Sequence, residues 1–291
     1  MADLITRNGT LFANQESTEG TAAAGVAGDA ILAALVNYRL GIANVMLGDM
    51  KEANEALTTA LRTLDTEEGR RLFAFGGSPF SFACSFRAWA LAELGLLDEA
   101  EAVGQEGFDN ALSLAQPYTI VVSTFGHSYA LIRRGRWEKA AEILDVGREQ
   151  VDLYGIAAGG TWLFARRALV AANMGDTALT DLMIDHSMAG ATKSAVDTFY
   201  KTLLADAELR LGRFEQAADR ARQATATGME KDEMAAVAWG RLILADALTG
   251  LGQGGDAEAQ AAMRGAGELA AKLGLVPLAE RVKILQNLQA N

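Results

Sequence analysis

Three side chains in this sequence of 291 residues could act as a nucleophile or a general base, namely Cys84, His127 and His186. A thiol becomes a strong nucleophile beside an imidazole, so Cys84 with His127 is the pair that could support covalent chemistry. That enzyme alternative requires His127 within hydrogen-bond reach of Cys84, or of an acid, inside a cleft. A lone cysteine is usually a small buried apolar residue, and we expect His127 to be a hydrogen-bonded structural residue. We predict no catalytic residue and no enzyme activity.

The sequence also contains no motif for a metal site or a nucleotide site. Neither histidine belongs to a His-x-x-x-His or Glu-x-x-His pattern, and a single cysteine excludes an intrachain disulfide and a cysteine-rich metal site. The glycine-rich stretch at 252–255 lacks both the Gly-Lys-Ser/Thr ending of a phosphate loop and a preceding strand. We therefore expect no metal and no cofactor.

Composition limits the class of partner. The net charge is −11 and the isoelectric point is about 4.8, which disfavours nucleic acid and anionic membrane surfaces because both are bound by clustered Lys and Arg. A protein or peptide partner, including a basic one, is compatible with this charge. The first 27 residues do not resemble a signal sequence, and no stretch approaches the roughly 20 apolar residues of a membrane span. We expect a cytoplasmic protein.

The sequence around the candidate side chains contains a repeated pattern of glycines and small residues. Glycines recur 37 to 47 residues apart, at positions 48, 95, 135, 175, 212 and 252. Seven residues before each glycine stands a small residue: Gly41, Ala88, Ser128, Ala168, Ala205 and Ala245. Five residues after each stands another: Ala53, Ala100, Ala140, Thr180, Ala217 and Ala257. Small residues in register let two helices cross closely, so the pattern predicts an all-α fold of about six helical hairpins.

This spacing resembles the tetratricopeptide repeat (TPR), in which a small residue, a turn glycine, an aromatic such as Trp137 or Phe214, and an alanine follow in order. The repeat here is near 40 residues rather than the usual length of about 34. The longer unit, with residues 74–79, 114–117 and 272–279, resembles the C-terminal repeat region of bacterial adenylate cyclases with ATPase modules and of ATP-dependent transcriptional regulators. The catalytic motifs of those proteins are not found in this sequence. The resemblance implies a right-handed α-solenoid that serves in signalling.

The predicted domain organisation is simple. Residues 1–27 are expected to be a flexible lead-in, and residues 28–291 a single TPR-like superhelical domain. A glycine-containing linker at 65–78 explains the longest interval between turns. Residues 277–288 are expected to form a C-terminal capping helix that shields the last hairpin.

The resemblance also implies where a partner binds. In TPR-like arrays the first helix of each hairpin lines the concave wall, through positions 13, 10, 6, 3 and 2 residues before the turn glycine. The aromatic residues at these positions are Tyr38, Phe82, Trp89, Phe125, Tyr129, Trp162, Phe199 and Trp239, and the charged ones include Arg133, Asp206, Arg210 and Asp246. We expect Trp89, Phe125 and Tyr129 to be exposed. The four aromatics 13 residues before a glycine are equally consistent with burial between hairpins.

Two functions are compatible with such a groove. The first is a scaffold or sensor module of a bacterial regulatory system, whose aromatic-lined groove binds a protein or peptide while charged residues fix its register. The second is a small-molecule sensor that closes around an apolar ligand held by Phe82, Trp89, Phe125, Tyr129 and Trp162. A clamp for a peptide's C-terminal carboxylate is not expected, because the positions 10 and 6 residues before the glycines lack the required Lys, Arg and Asn.

Overall fold

A computed structural model describes residues 30–157, 159–191 and 198–290 of the chain. The lead-in predicted at 1–27 lies outside these residues. Within them the regular structure is helical, and the only β feature is an isolated bridge between Ala74 and Gly77. The predicted all-α class is confirmed.

The helices fall into two compact units, one ending at Ile156 and one beginning at Ala157. In the first unit the helices are α1 (Ala30–Leu47), α2 (Met50–Leu64), α3 (Glu67–Arg71), α4 (Pro79–Glu93), α5 (Leu97–Leu114), α6 (Pro117–Arg133) and α7 (Trp137–Tyr154). In the second they are α8 (Gly160–Asn173), α9 (Thr177–Ala191), α10 (Thr198–Arg210), α11 (Phe214–Lys231), α12 (Met234–Gly250), α13 (Ala257–Leu273) and α14 (Val276–Ala290).

The six turn glycines explain where each first helix ends. All of them have positive φ, from 69° at Gly135 to 101° at Gly48. This left-handed conformation is readily adopted by glycine and is unfavourable for residues with a Cβ. The repeat register read from the sequence is therefore a backbone requirement at each turn.

Close helix crossings explain the small residues. Ala88, Ser128, Ala168, Ala205 and Ala245 are all fully buried. The tightest crossing brings α6 against α4, where a Cβ added at Gly126 would lie 1.7 Å from the carbonyl oxygen of Ser85.

The last hairpin departs from the predicted register. Its turn runs through residues 251–256, so α13 begins only at Ala257. Ala257 is consequently exposed, and Ala259 is buried in its place. The prediction that Ala257 packs at the crossing is wrong, because the turn is longer than in the other five hairpins.

Within each unit the hairpins stack through their first helices. In the first unit α1, α4 and α6 pack side by side and pair with α2, α5 and α7. In the second unit α8, α10 and α12 do the same and pair with α9, α11 and α13. We call the surface formed by each set of three first helices the first-helix wall of that unit. The predicted capping helix is present as α14, which packs on α12 and α13.

Helix α1 is the one helix of the described residues that is long and apolar enough to cross a membrane by length and composition, with a mean hydropathy of 1.6 over 18 residues. No such stretch was expected from the sequence. The helix packs on α2 and α4 and buries residues including Tyr38 and Leu47. Of this helix 33% is buried, and its length and composition alone do not make it a membrane span.

Candidate protein-binding surface

In the first unit, all five aromatic residues that were predicted to line the groove are buried. Tyr38, Phe82, Trp89, Phe125 and Tyr129 are each at most 3% exposed. The expectation that Trp89, Phe125 and Tyr129 are exposed is therefore wrong. Trp89 of α4 packs on Tyr129 of the neighbouring first helix α6, with ring centroids 5.6 Å apart. Within α4, Phe86 stacks on Trp89 at 6.3 Å.

A polar network accompanies these rings. The hydroxyl of Tyr129 donates a hydrogen bond to Glu93 and accepts one from Arg133. The Arg133 guanidinium lies 4.4 Å from the ring centroid of Tyr129 and 3.5 Å from the Glu93 carboxylate. Burial raises the pKa of Tyr129 well above its ordinary value. Arg133, predicted to contact a partner, is instead mostly buried and ties α6 to α4.

The second unit presents its predicted aromatics differently. Trp239 of α12 is buried, whereas Trp162 of α8 and Phe199 of α10 are half-buried. Trp162 and Phe199 stand 13 residues before their turn glycines on two helices that pack against each other. They occupy equivalent positions on one first-helix wall.

In the second unit, the charged residues predicted to bind a partner contact Arg281, which was not predicted as a site residue. Arg281 of α14 donates hydrogen bonds to Asp206 at 2.8 and 2.9 Å and to Asp246 at 3.1 Å, and Arg210 lies 3.3 Å from Asp206. Burial alone would lower the pKa of Arg281, but the two carboxylates raise it above its ordinary value. Asp206 is mostly buried, while the side chains of Arg210 and Asp246 are 40% and 31% exposed.

The repeats match a known family in two places. A family model described as tetratricopeptide repeat matches residues 81–103 and 200–223. The first stretch spans the turn between α4 and α5, and the second spans the turn between α10 and α11. The hairpins form a TPR-like repeat array. A search among curated proteins finds no match.

Cys84 and His127, the pair considered for covalent catalysis, are both held in their neutral forms by burial in this TPR-like protein. Burial raises the pKa of the Cys84 thiol and lowers the pKa of His127 to about 4. Neither ring nitrogen of His127 has a hydrogen-bond partner among the described residues, so the expected hydrogen-bonded histidine is not found. Both side chains face glycines of α5, at Gly104 and Gly107. They act as packing groups.

A polar cleft that the sequence analysis did not identify lies beside the third hairpin turn. It encloses about 380 Å³ and is lined by Asp98, Glu101, Ala102, Gln105, Arg134, Arg136 and Lys139. Its cations already pair with its acids, because Arg136 and Lys139 lie 2.8 and 3.3 Å from the Glu101 carboxylate and Arg134 hydrogen-bonds to Asp98. Among the described residues no group of three His, Cys, Asp or Glu side chains could hold a metal ion.

Two exposed aromatic rings lie in the linker before α4, and a third, Tyr154, ends α7. Phe73 and Phe75 are each 59% exposed. The signal in the sequence is the Phe75-Gly76 pair, which was not predicted as a site. It occupies the centre of a tight turn and carries an aromatic ring where such turns usually carry a small residue.

Proposed function

We propose that this TPR-like array is a non-enzymatic scaffold that binds a peptide segment of another protein along the first-helix wall of its second unit. The observation that supports this surface is the half-buried pair Trp162 and Phe199, held at equivalent positions on neighbouring hairpins. Stacked repeats offer extended surfaces that suit extended or helical segments.

Peptide binding here would combine apolar anchoring with charge. Packed helices lie about 8–10 Å apart, a distance that an extended peptide covers in about three residues. A peptide with two apolar side chains three residues apart could therefore contact both Trp162 and Phe199. Arg210 and Asp246, which are partly exposed on the same wall, would fix the register through charged side chains of the peptide.

The biological setting is proposed from resemblance. The similarity of residues 74–79, 114–117 and 272–279 to bacterial regulators suggests a scaffold or sensor in a cytoplasmic regulatory system, whose effector module lies elsewhere. The small-molecule alternative has less support, because four of the five side chains assigned to its ligand, Phe82, Trp89, Phe125 and Tyr129, are buried.

The test is selection of peptides from a random display library on the intact protein, followed by affinity measurement on purified variants. We expect the double variant Trp162→Ala, Phe199→Ala to bind selected peptides at least tenfold more weakly. The matched control, Leu182→Ala with Met229→Ala, removes two exposed apolar side chains from second helices and should change affinity less than twofold.

Because aromatic truncation can also loosen the fold, Arg210→Ala provides a second readout at an exposed side chain. It should weaken selected peptides that carry an acidic residue and leave the unfolding midpoint nearly unchanged. Peptides whose binding depends on Leu182 and Met229, and not on the first-helix wall, would refute the assigned surface.

A further inference from the structure

The linker turn before α4 holds an aromatic residue in an unfavourable backbone conformation. Ala74 and Gly77 exchange two backbone hydrogen bonds of 2.9 and 3.2 Å around the central residues Phe75 and Gly76. Both central residues have positive φ, 55° at Phe75 and 88° at Gly76. Such turns favour Asn-Gly or Gly-Gly, because a bulky side chain is disfavoured in the left-handed region. The Phe75 ring is also more than half exposed, so burial in the core does not account for it.

A cation lies beside this ring. The guanidinium carbon of Arg39 is 5.4 Å from the ring centroid of Phe75, and Arg39 is exposed. Neighbouring arginines pair with acids, Arg70 with Asp65 and Glu106, and Arg71 with Glu67. Arg39 has no carboxylate within ion-pair distance among the described residues.

Two tyrosine hydroxyls complete the cluster. Burial raises the pKa of Tyr38 to about 12 and also raises that of Tyr118, while the positive charge of Arg39 opposes both shifts. Tyr38 is only 2% exposed and supports the cluster from within the core, whereas Tyr118 is half-buried and is the tyrosine that a ligand can reach. The turn sits against this group, since the Tyr38 and Phe75 ring centroids are 6.3 Å apart and a Cβ added at Gly76 would lie 3.8 Å from the Tyr118 ring.

We propose that Arg39 and Tyr118, beside the exposed ring of Phe75, form a binding site for an acidic side chain of a peptide that carries an apolar residue next to it. The guanidinium fork matches a carboxylate, and the partly exposed Tyr118 hydroxyl adds a hydrogen-bond donor. The exposed rings of Phe73 and Phe75 give the adjacent apolar residue a surface to cover. In a chain with a net charge of −11, an exposed arginine with no carboxylate beside it in the described part of the chain marks a local place where an acidic segment is attracted.

This inference rests on the proposed function only in that the partner is a protein. The site belongs to the first unit, whereas Trp162 and Phe199 belong to the second, so each can fail while the other stands.

The test uses two fluorescein-labelled, amidated heptapeptides, Ser-Gly-Glu-Phe-Glu-Gly-Ser and the same peptide with glutamine in place of glutamate, with binding followed by anisotropy. We expect the acidic peptide to bind the intact protein at least tenfold more tightly than the glutamine peptide. Arg39→Gln should weaken the acidic peptide at least tenfold. The matched control, Arg62→Gln, removes an exposed arginine of α2 and should leave the affinity within twofold.

Phe75→Asn separates binding from folding. Asparagine is well suited to this turn position, so the unfolding midpoint should stay the same or rise while affinity for the acidic peptide falls at least fivefold. A lowered midpoint would show that the ring serves packing and would overturn the proposal. Failure of the acidic peptide to bind at 1 mM, equal binding of the glutamine peptide, or equal losses for Arg39→Gln and Arg62→Gln would also overturn it. So would displacement of the acidic peptide by a peptide of residues 1–27, which would assign the site to this chain itself.

Discussion

Arg281 of α14 donates two parallel hydrogen bonds, of 2.8 and 2.9 Å, to the carboxylate of Asp206 on α10, a residue 75 positions earlier in the chain. The two side chains are only 17% and 8% exposed. A third bond reaches Asp246 of α12 at 3.1 Å. The capping helix is thus tied by charge to two first helices, in addition to stacking on the last hairpin.

Removing this cation should loosen the second unit. Arg281→Ala leaves the mostly buried Asp206 carboxylate without its bidentate partner, a loss that costs about 3–5 kcal/mol in fully buried pairs and less here because Arg210 remains 3.3 Å from Asp206. Urea unfolding should report that loss. The control Arg264→Ala removes an exposed arginine of the neighbouring helix α13 and should change stability by less than about 0.5 kcal/mol. Equal losses in both variants would show that the pair does not hold α14.

Features set by local chemistry could be predicted from the sequence. Gly212 and its equivalents end their helices because the backbone there needs positive φ. Ser78 caps α4 by accepting a hydrogen bond from the Ser81 amide, and Pro79 takes the first helical position. The six glycines predicted to lie at turns accordingly each follow the end of a first helix.

The binding surface could not be predicted as well, because exposure depends on how tightly neighbouring hairpins close. Trp89 and Tyr129 stand at wall positions, yet they pack on each other, and no local pattern encodes that distance. Arg281 was not predicted as a site residue because α14 lies outside the six hairpins, so no turn glycine aligns its positions with those of the first helices.

The end of α5 offers a test of backbone strain. Ala115 has a φ of 51° and a ψ of 35°, at a place where the equivalent helices α7 and α13 end with Gly155 and Gly274. Ala115→Gly should raise the free energy of unfolding by about 0.5–1 kcal/mol, because glycine adopts the left-handed conformation without a steric penalty. The matched change Ala102→Gly, at an exposed position inside α5, should lower it by about 1 kcal/mol. The same sign for both would contradict the assigned strain.

The crossing of α4 and α6 offers a test of packing. A Cβ at Gly126 would lie 1.7 Å from the Ser85 carbonyl oxygen, and the Gly126 amide donates a hydrogen bond to the Ser85 hydroxyl at 3.0 Å. Gly126→Ala should therefore force α4 and α6 apart and cost about 3 kcal/mol. Gly267→Ala, inside α13, meets only Val282 at 3.7 Å and should stabilise by about 0.5–1 kcal/mol through helix propensity. Thermal unfolding of the two variants should shift in opposite directions.

His127 makes stability depend on pH. Burial lowers its pKa to about 4, whereas an unfolded histidine titrates near 6.5. Between these values the unfolded state binds a proton that the folded state does not, so stability is full above about pH 6.5 and falls as pH drops toward 4. The nearby charge of Lys139 lowers the folded pKa further, while Glu101 and Asp109 act against it. At about 1.4 kcal/mol per unit, the loss from this residue is about 3 kcal/mol. Urea unfolding from pH 7 to 4.5 should show a flatter profile for His127→Leu than for the wild type, and parallel profiles would refute the assignment.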